Sequence, residues 1–222
     1  MNKRSLKRII SERKGNWYGS LCNYDCQGLW QRRKNNRENA VRKAGYSFYD
    51  RELLRMASDD SGIHERLFGQ ADERVKPGLR KPFGKVYKGE LLPPESDDFV
   101  SDDNLFNYQA KVIRELAEEE SCIIIGRCAD YVLKDDPNVL RLFFFAPKED
   151  CIVRVMEHDG ITGRDAENKI EKIDKHRADY YKYYTGKDWY DARNYDFCLD
   201  TTSMGYEKLV EVVKNFIEVY QS

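Results

Sequence analysis

The feature of the sequence that most constrains the fold is a short apolar run inside the segment SCIIIGRCADY, residues 121–131. Residues 123–125 are three isoleucines, ended by Gly126, and such a run is typical of a strand buried on both faces. Arg127 follows directly. At the carboxyl end of a buried parallel strand, an arginine lies where open α/β sheets bind ligands, and its planar guanidinium suits phosphate or carboxylate. The alternative is an arginine paired with a helix carboxylate.

From residue 45 onward, strand patterns alternate with helix patterns, whereas residues 1–44 show no clear period and receive no element. The predicted strands are 46–49, 123–125, 139–146 and 195–200. The predicted helices are 52–56, capped by Asp50, and 62–75, 104–120, 131–133, 147–158, 162–184 and 205–220. A short strand or hairpin is expected at 85–91, within a long excursion over 76–103. This alternation predicts a parallel sheet with helices on both faces.

Composition excludes several classes of protein. Charged residues make up 35% of the chain, and no apolar run approaches the roughly 20 residues of a membrane span. The amino end carries no export signal, and the six scattered cysteines are predicted to be reduced thiols of a cytoplasmic protein. Cys22 and Cys26 have the spacing of a metal pair, but no second pair completes four ligands, so no metal site is predicted.

The charge is distributed unevenly along the chain. Residues 1–43 carry 12 Lys and Arg against 3 Asp and Glu, so the remainder is acidic. A basic arm on an acidic domain is typical of a tail that binds nucleic acid or an acidic partner. The arm contains no recognised nucleic-acid motif, and nucleic-acid binding therefore stays an alternative, which a steep fall of affinity with salt would reveal. The sequence does not indicate an oligomeric state.

Polar residues follow two of the predicted strands. Asp50 and Arg51 lie at a strand-to-helix junction, as Gly126 and Arg127 do. Because such junctions open on the same edge of a parallel sheet, two arginines and two carboxylates, Asp50 and Asp130, are expected to meet there. The alternative is that these residues cap helices and pair at the surface.

A third group of candidate residues lies on the long helix predicted at 162–184. Asp174 and Arg177 are three residues apart and share a face. Four tyrosines follow, at 180, 181, 183 and 184, and then Gly186 and Lys187. These residues fit either a mobile flap over a nucleotide or an aromatic interface between helices.

Five segments of the chain closely resemble the bacterial cytidylate kinase-like family, a branch of the P-loop nucleoside monophosphate kinases. They are YSFYDRELL (46–54), LFNYQAKVIRELAEEESCIIIGRCADYVL (105–133), VLRLFFFAP (139–147), KIDKHRADYYKYYTGKDW (172–189) and DFCLDTTSMG (196–205). The resemblance covers residues 45–222. It implies a three-layer α/β fold of the P-loop NTPase type, ATP and Mg²⁺ as donor and cofactor, and CMP or a related nucleotide as acceptor.

The resemblance also assigns roles to residues. The acceptor-binding group is Asp50, Arg51, Arg127, Asp130, Asp174 and Arg177, and the lid and phosphate contacts are Tyr181 and Lys187. The excursion over 76–103 would cover the acceptor, and residues 162–190 would form a lid-like helical region. Cytidylate kinases follow the glycine and arginine of this strand end with aspartate, whereas this chain has Cys128, so the resemblance does not fix cytosine as the base.

The glycine-rich loop that cradles donor phosphates in this class is missing from the sequence as written. No GxxxxGK[ST] occurs anywhere in the chain. Without that loop, ATP is expected to bind poorly or not at all, and the chain would be a catalytically inactive nucleotide- or partner-binding relative.

A shift of reading frame accounts for the missing loop. With suitable synonymous codons, the DNA for residues 21–37 reads FVITIARDYGSGGKTIG when translation starts one base later, and the glycine codon across Trp30 and Gln31 is forced. The shifted peptide is a strand, a glycine-rich loop and a lysine-threonine pair. Residues 21–44 are therefore interpreted as a frame-shifted copy of the phosphate loop and first helix, which also explains their basic composition.

Overall fold

The computed structural model describes residues 16–21, 47–73, 90–202 and 206–220. The Cys22 and Cys26 pair, residues 22–44 of the segment interpreted as frame-shifted, and most of the strand or hairpin predicted at 85–91 lie outside the described residues. Within the described part of the chain, no helix has the length and apolar character needed to cross a membrane. The cysteines at 122, 128, 151 and 198 are thiols, as expected.

Five strands in the described part of the chain form one sheet. They are β1 (Asn16–Leu21), β2 (Ser47–Tyr49), β3 (Cys122–Ile125), β4 (Val139–Phe145) and β5 (Phe197–Asp200). Their order is β2-β3-β1-β4-β5, and every recorded pairing is parallel. The predicted parallel sheet is therefore confirmed.

The sequence assigned no element to residues 1–44, and the structure has β1 there. Its sequence, NWYGSL, has neither strict alternation nor a β-branched run. The strand is specified by its two neighbours, since Trp17 pairs with Ile123 of β3 and with Leu140 of β4. Backbone pairing on both sides thus makes up for a weak local preference for strand.

Seven α-helices lie in the described residues. They are α1 (Glu52–Ser61), α2 (Glu65–Glu73), α3 (Asp102–Glu119), α4 (Ala129–Val132), α5 (Lys148–Asp159), α6 (Gly163–Thr185) and α7 (Tyr206–Tyr220). Their type and order match the prediction. Ser101 and Thr162 cap α3 and α6 by accepting hydrogen bonds from backbone amides, as expected for such residues at the N-cap.

The predicted cap of α1 was wrong. Arg51 occupies the N-cap position and makes no side-chain capping bond. Asp50 lies one residue earlier, and its side chain belongs to a charged group at the edge of the sheet, described below. The sequence placed a good capping residue near the helix start, but nearby arginines compete for its carboxylate.

The core divides into three groups of buried apolar side chains, and β4 contributes to two of them. Val139 and Phe143 pack in the largest group, together with residues of α1, α2, α3, α4 and the end of α6. Leu140, Leu142 and Phe144 pack with α7 in a second group. Because successive side chains of a strand point to opposite faces, these groups cover opposite faces of β4. Each large side chain buried there contributes about 1.5–3 kcal/mol to folding.

The third apolar group joins α5 and α6. Cys151 and Val155 of α5 pack against Ala166 and Ile170 of α6. At the surface, Lys148 donates to the carboxylates of two glutamates on α6, Glu167 and Glu171, at 2.6 Å each. The first half of α6 thus belongs to a helix pair with its own small core, whereas its second half packs on the main core.

Candidate functional site

Two neighbouring strands end side by side and carry the charged residues of the candidate site. The register of β2 and β3 pairs Tyr49 with Ile124, so Asp50 and Arg127 both emerge at the carboxyl edge of the sheet. This is the edge at which open parallel sheets bind ligands. The structure therefore brings together the two strand-to-helix junctions that the sequence singled out.

The turn after β3 has an unusual backbone. Gly126, Arg127 and Cys128 have φ angles of 67°, 58° and 54°. A left-handed conformation costs a residue with a side chain roughly 1–2 kcal/mol, so Arg127 and Cys128 are strained. The turn is closed by a hydrogen bond from the Ala129 amide to the Gly126 carbonyl at 3.0 Å. Strain of this kind is concentrated at functional sites, and here it sets the direction in which Arg127 leaves the sheet.

Three arginines act on one carboxyl group at this edge. Burial raises the pKa of Asp50, and the positive charges of Arg127, Arg51 and Arg177 oppose that rise. Burial also lowers the pKa of Arg127, as does the charge of Arg51, while Asp50 opposes this. We call Asp50, Arg51, Arg127 and Arg177 the arginine cluster. The charge of Glu52 adds to the rise in the pKa of Asp50. Three guanidinium groups therefore act beside two carboxyl groups, and a bound anion such as a phosphate would balance the remaining positive charge.

Arg177 reaches the arginine cluster from α6. Its Nη1 atom is buried and has no hydrogen-bond partner among the described residues. Buried polar atoms in native proteins are almost always hydrogen-bonded, and leaving a charged donor without an acceptor is costly. A bound anion would supply the acceptor. Asp174, three residues earlier on the same helix, is partly buried, with its Oδ1 atom inaccessible to solvent.

The tyrosines of α6 form an aromatic interface with α3, the second of the two arrangements that the sequence left open. Phe106 of α3 stacks on Tyr184, with ring centroids 3.9 Å apart and planes 11° apart. Tyr180 lies 4.7 Å from Tyr184 and 6.3 Å from Phe106, measured between centroids. Such pairs contribute about 0.5–1.5 kcal/mol beyond the area they bury.

Tyr180 is a residue of the site that the sequence prediction did not include. Burial raises the pKa of its phenol, and Arg127 is among the charges acting on it. A signal was available, because Tyr180 lies three residues after Arg177 and therefore on the same face of α6. The family resemblance assigned a role to the neighbouring Tyr181 and none to Tyr180.

The structure places Asp130, Tyr181 and Lys187 in a second set of contacts. The Tyr181 hydroxyl donates a hydrogen bond to the Asp130 Oδ2 atom at 2.6 Å, and both residues are buried. Burial raises the pKa of Asp130, opposed by the Tyr181 hydrogen bond and by the charge of Lys187. Lys187 itself is exposed, with its Nζ atom 5.9 Å from the centroid of the Tyr131 ring. Asp130 therefore interacts chiefly with Tyr181, whereas Asp50 interacts with the arginines.

Residues 90–101, the end of the excursion between α2 and α3, fold against the start of α3. The buried Asn104 accepts a hydrogen bond from the Leu92 amide at 2.9 Å and donates one to the Phe99 carbonyl at 2.7 Å. Asn107 donates to the Glu90 carbonyl at 2.7 Å. Hydrogen bonds from two asparagines thus hold this segment beside the first turns of α3, where Phe106 contacts Tyr180.

Comparisons with known proteins bear on the fold and the family. Cytidylate kinase from Methanopyrus kandleri is 31% identical to this chain over 113 residues, 47% of this chain and 58% of that protein. The match thus spans less than two thirds of its length. An uncharacterized protein from Eubacterium ventriosum has a crystal structure similar to this one, with a TM-score of 0.64 at 22% identity, over 93% of this chain and 99% of that chain. This similarity supports the fold alone.

A weaker structural similarity exists to dephospho-CoA kinase from Campylobacter jejuni, with a TM-score of 0.39 at 14% identity, over 94% of this chain and 98% of that chain. A score this low supports no argument. The model of the cytidylate kinase-like family, in contrast, matches residues 41–203. That range covers more than half of the chain and includes every member of the arginine cluster, and the protein therefore belongs to the cytidylate kinase-like family.

Proposed function

We propose that this protein is a nucleoside monophosphate kinase-like protein whose arginine cluster binds the phosphate of the acceptor nucleotide. The observation that carries the proposal is the excess of positive charge at the sheet edge, where the charges of Arg51, Arg127 and Arg177 act on Asp50 and the buried Arg177 Nη1 atom has no hydrogen-bond partner among the described residues. Arginine is well suited to phosphate because its planar fork donates two parallel hydrogen bonds. The proposed acceptor is CMP or a related nucleotide.

The individual residues take roles that follow from their positions. Arg127, on the strained turn, and Arg177, on α6, bind phosphate oxygens, and Asp50 keeps the guanidinium groups oriented when the acceptor is absent. Asp174 contacts the acceptor from the same helix as Arg177. Lys187, which is exposed, is proposed to reach a phosphate when residues 162–190 close as a lid.

Further parts of the proposal concern the whole chain. The sheet is proposed to be the centre of a three-layer fold of the P-loop type, supported by the apolar groups on opposite faces of β4. The excursion over 76–103 is proposed to cover the acceptor. Its end, residues 90–101, is hydrogen-bonded to the start of α3, which supports this. The thiol state of the described cysteines fits a cytoplasmic protein.

The residues present do not fit the ATP and Mg²⁺ that the family implies. The sequence as written has no glycine-rich phosphate loop, and the described residues contain no group of three or more His, Cys, Asp or Glu side chains that could hold a metal ion. We therefore derive no phosphoryl-transfer step for the sequence as written.

We attribute the missing loop to a shift of reading frame in residues 21–44. β1 lies between β3 and β4 and ends at Leu21, where the altered frame begins. The shifted peptide begins with a strand of its own, so the frame shift predicts that this strand takes the place of β1 in the sheet. A phosphate loop that followed a parallel strand in that place would lie at the same edge of the sheet as the arginine cluster. The shift also explains the basic composition of the arm, so we do not propose nucleic-acid binding.

Peptide mass mapping of the purified protein across residues 17–45 tests the frame shift. Masses that match the shifted peptide FVITIARDYGSGGKTIG would show that the protein has its phosphate loop and should be assayed with ATP and Mg²⁺. Masses that match the sequence as written would refute the frame shift and favour the second candidate function, an inactive nucleotide- or partner-binding protein.

Thermal melting separates the two candidates on the same sample. A ligand at about a hundred times its dissociation constant adds about 2.7 kcal/mol to the free energy of unfolding. A working donor site predicts a higher Tm in millimolar ATP and Mg²⁺, and an unchanged Tm argues against it. In an active form, Arg127→Ala is expected to raise the acceptor KM or lower kcat, and unchanged kinetics would remove Arg127 from the site.

A further inference from the structure

The contact between Asp130 and Tyr181 joins two elements that approach the arginine cluster from different directions. Asp130 lies in the first turn of α4, directly after the strained turn, and is 5% exposed. Tyr181 lies on α6 and is 3% exposed. Their hydroxyl-to-carboxyl distance is 2.6 Å. A buried hydrogen bond to a carboxyl group is directional and among the stronger ones in proteins.

The α4 end of this contact is fixed to the sheet. Arg141 of β4 donates from Nε to the Asp130 carbonyl at 3.3 Å and from Nη2 to the Lys134 carbonyl at 2.8 Å. These bonds hold the first turn of α4 and the backbone just after its end against β4. Asp130 is therefore an acceptor with a fixed position.

The rotation of α6 about its axis is less constrained, because the two halves of the helix pack in different apolar groups. The first half of α6 packs with α5 in a separate apolar group, and only its second half packs on the main core. Arg177 lies between Ile170, in the first group, and Tyr181, in the second. Because Arg177 and Tyr181 are four residues apart, they lie on one face of the helix. A rotation of α6 that broke the Tyr181 bond would also turn Arg177 away from the arginine cluster.

We propose that Asp130 and Tyr181 are a positioning pair that sets the rotation of α6 and thereby holds Arg177 in the arginine cluster. In this role neither side chain contacts the nucleotide. The consequence for binding rests on the proposed function, whereas the consequence for α6 does not. The two are therefore measured separately.

The first measurement is amide hydrogen exchange of the full chain, with Tyr181→Phe compared against Tyr183→Phe. The control removes a hydroxyl that donates to the carboxylate of Asp103 at 2.8 Å from the same helix, but at an exposed position. Since hydrogen bonds to charged groups contribute about 1.5–3 kcal/mol, residues 171–180 are expected to exchange about tenfold faster or more in Tyr181→Phe and to stay at the wild-type rate in the control. Equal protection in all three proteins would overturn the proposal, as would faster exchange spread evenly over α3 and β3.

The second measurement is a double-mutant cycle read out by calorimetric binding of CMP. If Tyr181 acts through Arg177, Tyr181→Phe weakens binding in the wild-type background and has little further effect in Arg177→Ala. Additive effects would contradict the proposal. Asp130→Asn keeps an oxygen acceptor for the tyrosine and is expected to preserve binding, whereas Asp130→Leu should lose it.

The two measurements distinguish the possible failures. If the wild-type protein binds no nucleoside monophosphate, the proposed function fails, and hydrogen exchange alone still decides whether the pair positions α6. If CMP binds but Tyr181→Phe binds it as tightly as the wild type, the proposed function stands and the positioning role is wrong.

Discussion

Replacing Gly126 by alanine tests whether the left-handed turn after β3 controls both stability and the arginine cluster. The Gly126 φ angle is +67°, and a Cβ atom added there would meet nothing within 4 Å. The substitution therefore introduces no clash and changes only the conformational preference of the backbone. A left-handed residue with a side chain costs roughly 1–2 kcal/mol. For a chain of this size, a loss of 1 kcal/mol lowers Tm by about 2–4 °C.

We therefore expect Gly126→Ala to lower Tm by about 2–8 °C. Gly69→Ala is a matched control, because a Cβ atom at Gly69 would also meet nothing within 4 Å. Gly69 lies inside α2 (Glu65–Glu73), where alanine is favoured over glycine by about 0.5–1 kcal/mol. The same chemical change should thus raise Tm in the control.

The assay is thermal unfolding by circular dichroism, followed by titration with CMP. Because the turn directs Arg127, Gly126→Ala should also weaken CMP binding, while Gly69→Ala should leave it unchanged. A Gly126→Ala protein as stable as the wild type would refute the left-handed turn. Lower stability with unchanged CMP binding would instead show that the turn does not direct Arg127 toward the ligand.

Three further predictions concern other parts of the structure. Asp130→Asn should flatten the dependence of the unfolding free energy on pH, because burial raises the pKa of Asp130 in the folded protein. The stability that protonated Asp130 contributes is fully present below the pKa of the unfolded chain, about 3.9, and is lost as pH rises through the folded pKa. Parallel wild-type and variant curves of unfolding free energy against pH would contradict this. Phe106→Ala should cost about 3–5 kcal/mol, measured by urea unfolding, because Phe106 is 2% exposed and stacked on Tyr184; a loss below 1 kcal/mol would argue against that stack. Asn104→Ala should speed proteolytic cleavage within residues 90–101, because it removes the bonds to Leu92 and Phe99; unchanged cleavage would show that these bonds do not hold the segment.

The strong periodic patterns of the sequence predicted most of the described fold. The apolar run at residues 123–125 became β3 (Cys122–Ile125), and the long amphipathic pattern became α3 (Asp102–Glu119). In both segments, local preference and tertiary burial favour the same structure. β1 shows the opposite case, because its sequence has no period-two alternation or β-branched run and its conformation depends on pairing with β3 and β4.

The candidate site was predictable only in part. Two arginines could be placed together because parallel strands end at one edge, whereas Arg177 was assigned to the same group only by the family resemblance, and its charge acts on Asp50 in the structure. The partner of Asp130 could not be deduced, since the hydroxyl of Tyr181 comes from a helix that lies 51 residues further along the chain. Short-range spacing does not determine which face of a long helix meets the sheet. The left-handed conformation at Arg127 and Cys128 also gave no signal, because neither residue is one that favours it.

The measurement that tests the central claim most directly is calorimetric titration of the wild-type protein with four nucleoside monophosphates, each against its nucleoside. If the arginine cluster binds the acceptor phosphate, one monophosphate should bind about a hundredfold more tightly than its nucleoside, because charge-assisted hydrogen bonds contribute about 1.5–3 kcal/mol each. Arg177→Ala should remove at least about a tenfold part of that advantage. Equal affinities for a nucleoside and its monophosphate, or an advantage that Arg177→Ala leaves intact, would contradict the assignment of the phosphate to the arginine cluster.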